Sequence, residues 1–134
     1  MSELPFHKNS PNTTPTRLVL PILQKLVSTY KVWQIYLRNF PKDLRYTLGT
    51  KIDLLFIETA EALYIAAHLT KEQKIPYLKK AGLKLDLLKF FLCVAWESKA
   101  FDSKKYAELS EHLEHIGKQI GGWQKEVMRK INPA

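Results

Sequence analysis

The chain has 134 residues, a length that fits one ordinary domain, and 46% of them are hydrophobic, which is enough for a core. Lysine and arginine number 21 against 13 aspartate and glutamate, so the net charge is +8. This surplus favours a polyanionic partner, usually nucleic acid or an acidic membrane surface, with a basic protein that has no such partner as the alternative. No run of about 18 uncharged apolar residues occurs, so no membrane span is predicted. Of the two polyanions, nucleic acid is the expected partner and a membrane is not.

The first part of the chain is rich in proline, asparagine, serine and threonine, and this composition buries too little apolar surface to order itself. We therefore expect residues 1–16 to form a flexible tail without a secretory signal. Apolar residues then recur at helical spacing and predict four helices. The first runs from about Pro21 to Asn39, with Pro21 in its first turn, and the second from about Asp43 to His68.

The second half of the chain contains two further helix signals. A Thr-Lys-Glu-Gln sequence resembles a capping box and predicts that the third helix begins near Lys71 and ends near Lys99. Asp102 or Ser103 is predicted to cap the fourth helix, which runs to about Lys130.

Four long helices with short connections bury their apolar stripes best side by side. The predicted fold class is therefore all-α, an antiparallel up-down four-helix bundle over residues 17–131. Residues 132–134 are predicted to form a short C-terminal tail, because Pro133 discourages further helix.

The third predicted helix is apolar on two sides. One stripe contains Leu78, Ala81, Leu85, Leu88, Leu92 and Ala95. The other contains Leu83, Leu87, Phe90 and Val94. A monomeric bundle needs one stripe per helix, so the second stripe predicts a subunit interface, with a single large core around this helix as the alternative.

Candidate catalytic or metal-binding chemistry is sparse. A cluster of acids and histidines lies in the fourth helix at Glu108, Glu111, His112, Glu114 and His115. Neither histidine follows a glutamate by three positions, as di-iron bundles require, so this cluster is predicted to be a solvated face and not a metal site. Phosphate loops, catalytic triads and cysteine pairs are absent, so neither an enzyme nor a cofactor is predicted.

Cys93 is the only cysteine, which excludes an intrachain disulfide. A reducing cytoplasm is the expected compartment, and a structural role is expected for this thiol.

The basic residues are the remaining candidates for a site, because a set of cations neutralises phosphates even though each one alone is usually a solvated charge. They lie on the third helix (Lys79, Lys80, Lys84, Lys89), at the corner between the first two helices (Arg38, Lys42, Arg45, Lys51) and on the fourth helix (Lys118, Lys125, Arg129, Lys130). Tyr36, Phe40 and Tyr46 flank the corner as candidates for base stacking, with core packing as the alternative.

Two segments carry recognisable signatures. The sequence FPKDLRYTLG at 40–49 is similar to FPK-x-x-R-[FY]-x-LG, and IGKQIGGW at 116–123 is similar to IG-[RK]-x-[IL]-GGW. With LKLDLL at 83–88, they resemble the accessory variability proteins (Avd) of diversity-generating retroelements over roughly residues 20–125. The same bundle superfamily includes the ribosomal-RNA intervening-sequence proteins.

The resemblance implies a bundle assembled into a ring, with a homopentamer as the expected size. It further implies a non-catalytic protein that binds the reverse transcriptase and the RNA or DNA of the retroelement, and supports adenine-targeted, error-prone cDNA synthesis that diversifies a target gene. Family members often carry several arginines on the third helix; this chain keeps Lys89 but has Cys93 where a second arginine is common.

Two other functions stay open. One is a structural or protein-interaction bundle of the intervening-sequence type, in which the basic charge serves only solubility. The other is a metal-dependent bundle enzyme.

Overall fold

The computed structural model describes residues 14–133, and their side chains from residue 21 onward. The predicted tail at 1–16 therefore lies almost entirely outside the described residues. The elements are α1 (Thr14–Leu37), α2 (Lys42–Leu44), a π-helical turn (Arg45–Gly49), α3 (Thr50–Ala67), α4 (Lys71–Glu97) and α5 (Ser103–Ile131). The described residues contain no strand, so the all-helical fold with four long helices is confirmed. None of their helices combines the length and hydropathy that a membrane span requires.

The start of α1 differs from the prediction. The helix begins at Thr14, and Pro21 lies inside it, so the placement of Pro21 in the first turn is wrong. Proline removes one backbone hydrogen bond from a helix interior. Ile22, Leu23 and Leu26 follow directly and are all buried, so the packing of this face offsets the lost bond.

The other helix boundaries follow the sequence closely. The second predicted helix is a continuous helical segment from 42 to 67, although its π-helical turn was not predicted. At the start of α4, the Thr70 backbone N–H donates to Gln73 Oε1 at 3.3 Å, as a capping box requires. Asp102 caps α5, because its Oδ1 accepts from the backbone N–H of Lys105 at 2.9 Å.

The core lies where the four long helices meet. Helix α3 packs against α4, α4 against α5, and α1 against both α3 and α5. The first predicted stripe of α4 is buried at all six positions. Trp123 of α5 is 8% exposed and also lies in this core.

Two glycines of α5, Gly121 and Gly122, have no close neighbour within the described part of this chain. A Cβ added to Gly121 or Gly122 would meet no described atom within 4 Å, so neither glycine is needed for close packing within this chain. Gly117 lies nearer to its neighbour, since a Cβ there would be 3.4 Å from Leu85 Cδ2 of α4.

Arg45 closes the corner between α1 and α2. Its Nη2 atom donates to the carbonyl oxygens of Arg38 at 3.0 Å and of Phe40 at 3.2 Å. These carbonyls lie just after α1, where the helix no longer supplies partners for its last backbone groups. The half-buried guanidinium of Arg45 therefore ties the start of the π-helical turn to the end of α1.

Lys99, two residues after the end of α4, has an unfavourable backbone conformation. Its φ is 65°, the left-handed region that favours glycine. The Ala100 N–H donates to Ala95 O at 2.9 Å and the Lys99 N–H to Trp96 O at 2.9 Å. This is the Schellman pattern, in which glycine usually occupies the position of Lys99.

Lys99→Gly should therefore raise the free energy of unfolding by about 0.5–1 kcal/mol, because glycine adopts this φ without strain. Urea unfolding monitored by circular dichroism measures the change. Ser98→Gly is the matched control; Ser98 has φ −84°, so glycine there should destabilise the protein. A lower stability for Lys99→Gly would contradict the assignment.

Arg45→Ala should destabilise the protein by about 1–3 kcal/mol, because two carbonyl oxygens lose their donor. Arg38→Ala removes the same charge from an exposed side chain and should change stability by less than about 0.5 kcal/mol. Thermal unfolding of both variants tests this account, and equal melting temperatures would show that Arg45 is a solvated charge.

Candidate nucleic-acid interface

The four lysines predicted on α4 divide into two kinds. Lys84 Nζ lies 3.0 Å from Glu58 Oε1 of α3, and Lys89 Nζ lies 3.1 Å from Glu114 Oε2 of α5. Lys79 and Lys80 are exposed and take part in no ion pair within the described residues. Two of the four lysines predicted on α4 are therefore paired with carboxylates of neighbouring helices.

The four basic residues at the corner also differ in their surroundings. Arg45 donates hydrogen bonds to the carbonyl oxygens of Arg38 and Phe40, which gives it a structural role. Lys51 lies over the Phe91 ring of α4, with Nζ 5.8 Å from the ring centroid. Arg38, Lys42 and Lys51 are all exposed, so the corner presents three accessible charges.

Of the three aromatic candidates near the corner, one presents its ring to solvent. Phe40 is 2% exposed, with its ring centroid 5.3 Å from that of Trp33. The Tyr36 hydroxyl donates to the Glu108 carboxylate, a hydrogen bond that raises the pKa of Tyr36 to about 12. Tyr46 is 72% exposed. Tyr46 is therefore the candidate that remains for base stacking, and core packing accounts for Phe40.

The π-helical turn places Tyr46 on the outside. A π turn adds a residue to one turn of helix and so changes which side chains face the core on either side of it. Leu44 and Leu48 pack against the core, whereas Tyr46 between them points to solvent. A Cβ on Gly49 would lie only 2.6 Å from Leu37 Cδ1, so glycine lets the end of α1 lie against this turn.

Three lysines near the start of α5 were not among the predicted candidates. Lys99 and Lys104 are exposed, and Lys105 Nζ lies 5.4 Å from the centroid of the Tyr36 ring. Their segment reaches the corner because the Phe101 and Phe40 ring centroids are 5.6 Å apart. The predicted up-down bundle could have indicated that these lysines lie near the corner, because its first and third connections lie at the same end.

Two of the four basic residues predicted on α5, Arg129 and Lys130, are less available to bind phosphates because both lie next to Glu126. Glu126 accepts from Arg129 Nη2 at 2.6 Å and lies 4.0 Å from Lys130 Nζ. Lys118 and Lys125 are exposed.

Lys74, which was not among the predicted site residues, binds the C-terminal end of α3. Its Nζ atom donates to the Ala66 carbonyl oxygen at 2.8 Å, and its burial lowers its pKa.

The acids and histidines of α5 are spread over different contacts. Glu108 bonds to Tyr36 and Glu114 pairs with Lys89, while His115 is exposed. The described residues contain no group of three or more side chains arranged to hold a metal ion. Elsewhere, on α4, Cys93 is half-buried near the Tyr106 hydroxyl.

Comparison with known proteins assigns the chain to a family. The bAvd-like family model matches residues 20–127. Comparisons with curated proteins and with solved structures give no match. The matched region contains both signature segments and nearly all of the four long helices, so the chain belongs to the bAvd-like family.

Proposed function

We propose that this protein is a non-catalytic accessory protein of a diversity-generating retroelement, which binds RNA or DNA and the partner reverse transcriptase in the cytoplasm. Membership of the bAvd-like family carries this proposal. The positive charge supports it independently, because a net +8 on a domain of this size attracts polyanions.

A non-catalytic role agrees with the use of the polar side chains. Glu108 and Glu114, which lie next to the histidines of α5, are engaged by Tyr36 and Lys89. The Trp33 Nε1 atom donates to Asp53 Oδ1 at 3.3 Å. These groups link neighbouring helices, a structural use that leaves the bundle to act as a rigid binding partner.

The proposed nucleic-acid binding is sequence-tolerant. Most of the exposed cations are lysines, and an ammonium group contacts phosphates as a point charge without the bidentate geometry by which arginine reads guanine. Contacts of this kind position a protein on the nucleic-acid backbone and carry no sequence information.

Binding of a labelled RNA should weaken steeply as salt rises, because each neutralised phosphate releases counterions. For about five phosphates on a single strand, the affinity should fall about a hundredfold between 50 and 200 mM salt. Fluorescence anisotropy measures this directly. An interaction bundle without a nucleic-acid role predicts no saturable binding at either salt concentration, and that result would remove the proposal.

The proposed bundle is antiparallel, and the contacts between α3 and α4 support that order. Lys84 of α4 meets Glu58 of α3, and Phe91, two turns later on α4, meets Lys51 of α3. As the residue number on α4 increases, the number of the residue that it contacts on α3 decreases. Two helices that run in opposite directions give this pattern.

The contacts between α4 and α5 support the same order. Lys74, early in α4, lies over the Trp123 ring of α5, whereas Lys89, later in α4, meets Glu114 of α5. The numbering again runs in opposite directions along the two helices.

The proposed assembly is a ring of identical subunits, with five as the size that the family resemblance implies. Leu83 and Phe90 of α4 are each 59% exposed, and Leu54 and Ile57 of α3 are 45% and 50% exposed. The other members of the predicted interface are half-buried, namely Leu87 and Val94. Apolar side chains concentrated on two adjacent helices favour a covered surface, and a second subunit is the proposed cover.

Phe90→Glu should convert the assembly into a soluble monomer, because the new carboxylate would be buried without a partner. Ile35→Glu is the matched control, since Ile35 is 51% exposed and lies on α1, a helix that carries none of the proposed interface residues. Light scattering should find the wild-type and Ile35→Glu proteins assembled. A monomeric wild-type protein at high micromolar concentration would show that no such interface exists.

A further inference from the structure

One end of the bundle gathers two connections that are far apart in sequence. The corner after α1 and the turn between α4 and α5 meet through Phe40 and Phe101, whose ring centroids are 5.6 Å apart. Lys105 reaches from the start of α5 to the Tyr36 ring at 5.4 Å. Side chains on these two segments therefore belong to one surface.

The exposed cations on this surface are more available for phosphates than Lys84 and Lys89 of α4. Four exposed cations lie here, namely Arg38, Lys42, Lys99 and Lys104. None of the four takes part in an ion pair in the part of the chain that the structure describes. On α4, by contrast, Lys84 and Lys89 are already paired with carboxylates. A paired lysine must give up its partner before it neutralises a phosphate, whereas an unpaired one need not.

The same surface carries an exposed aromatic ring. Tyr46 is 72% exposed and lies in the π-helical turn, four residues after Lys42. An exposed ring beside cations is the combination with which proteins hold single strands, because an unpaired base stacks on the ring while its phosphates meet the charges. A duplex keeps its bases stacked inside and offers no free base to Tyr46.

We propose that this end of the bundle, called the basic end and formed by Arg38, Lys42, Tyr46, Lys99 and Lys104, is the surface that binds single-stranded nucleic acid. The inference rests on the proposed function and deepens it, because it assigns the surface and the form of the ligand. It also moves the main contact away from the α4 lysines.

The first test compares charge reversal on the two surfaces. Lys42→Glu/Lys99→Glu/Lys104→Glu changes the basic end, and anisotropy with a labelled single-stranded RNA should show a loss of affinity of at least about tenfold. Glutamate suits the first turns of α2 and α5, where Lys42 and Lys104 lie, so the variant should fold.

The matched variant is Lys79→Glu/Lys80→Glu/Lys118→Glu, which makes the same change of charge on exposed residues of α4 and α5. It should lose markedly less affinity than the basic-end variant. Circular dichroism and light scattering should show the same helicity and assembly size for both. A larger loss in the α4 and α5 variant would overturn the proposed surface while leaving nucleic-acid binding in place.

The second test concerns the ring. Tyr46→Ala should weaken binding of the single strand about tenfold, whereas Tyr46→Phe should retain it, because stacking needs only the ring. Neither change should alter binding of the same RNA annealed to its complement. Equal affinities of wild-type and Tyr46→Ala for the single strand would overturn the role of Tyr46. A wild-type protein that binds neither RNA would remove the proposed function together with the basic end.

Discussion

Phe40 holds together the three segments that meet at one end of the bundle. Its ring lies 5.3 Å from Trp33 of α1, edge to face, and 5.6 Å from Phe101 in the turn before α5. Trp33 is fully buried and Phe40 nearly so. Because separating the two connections would expose these rings to water, the relative positions of Tyr46 and Lys99 depend on this aromatic packing.

The sequence predicted well what local chemistry decides. The start of α4 and the cap of α5 follow from short polar patterns, and the buried stripe of α4 follows from helical spacing. Pro21 misled the prediction because a local rule places proline in a first turn, whereas packing of the next turn tolerates it inside α1. The π-helical turn has no comparable local pattern, and its place next to the end of α1 involves the contact of Gly49 with Leu37.

The candidate site was harder to predict, because the availability of a charge depends on other helices. Lys84 and Lys89 have their main partners on α3 and α5, at positions that only the packed bundle brings close. Burial likewise separates Tyr46 from Phe40, which look equivalent in the sequence. Lys99 and Lys104 join the corner through tertiary contacts alone, so a search for basic clusters along the chain passes over them.

These contacts lead to a bundle with two outward surfaces of different chemistry, an apolar one on α3 and α4 and a basic one at the end. Photocrosslinking of the intact protein to a single-stranded RNA that contains 4-thiouridine, followed by mass spectrometry of the peptides, tests this division most directly. The account predicts crosslinks in the peptides that contain Tyr46 and residues 99–104. Crosslinks confined to residues 79–89 of α4 would contradict it.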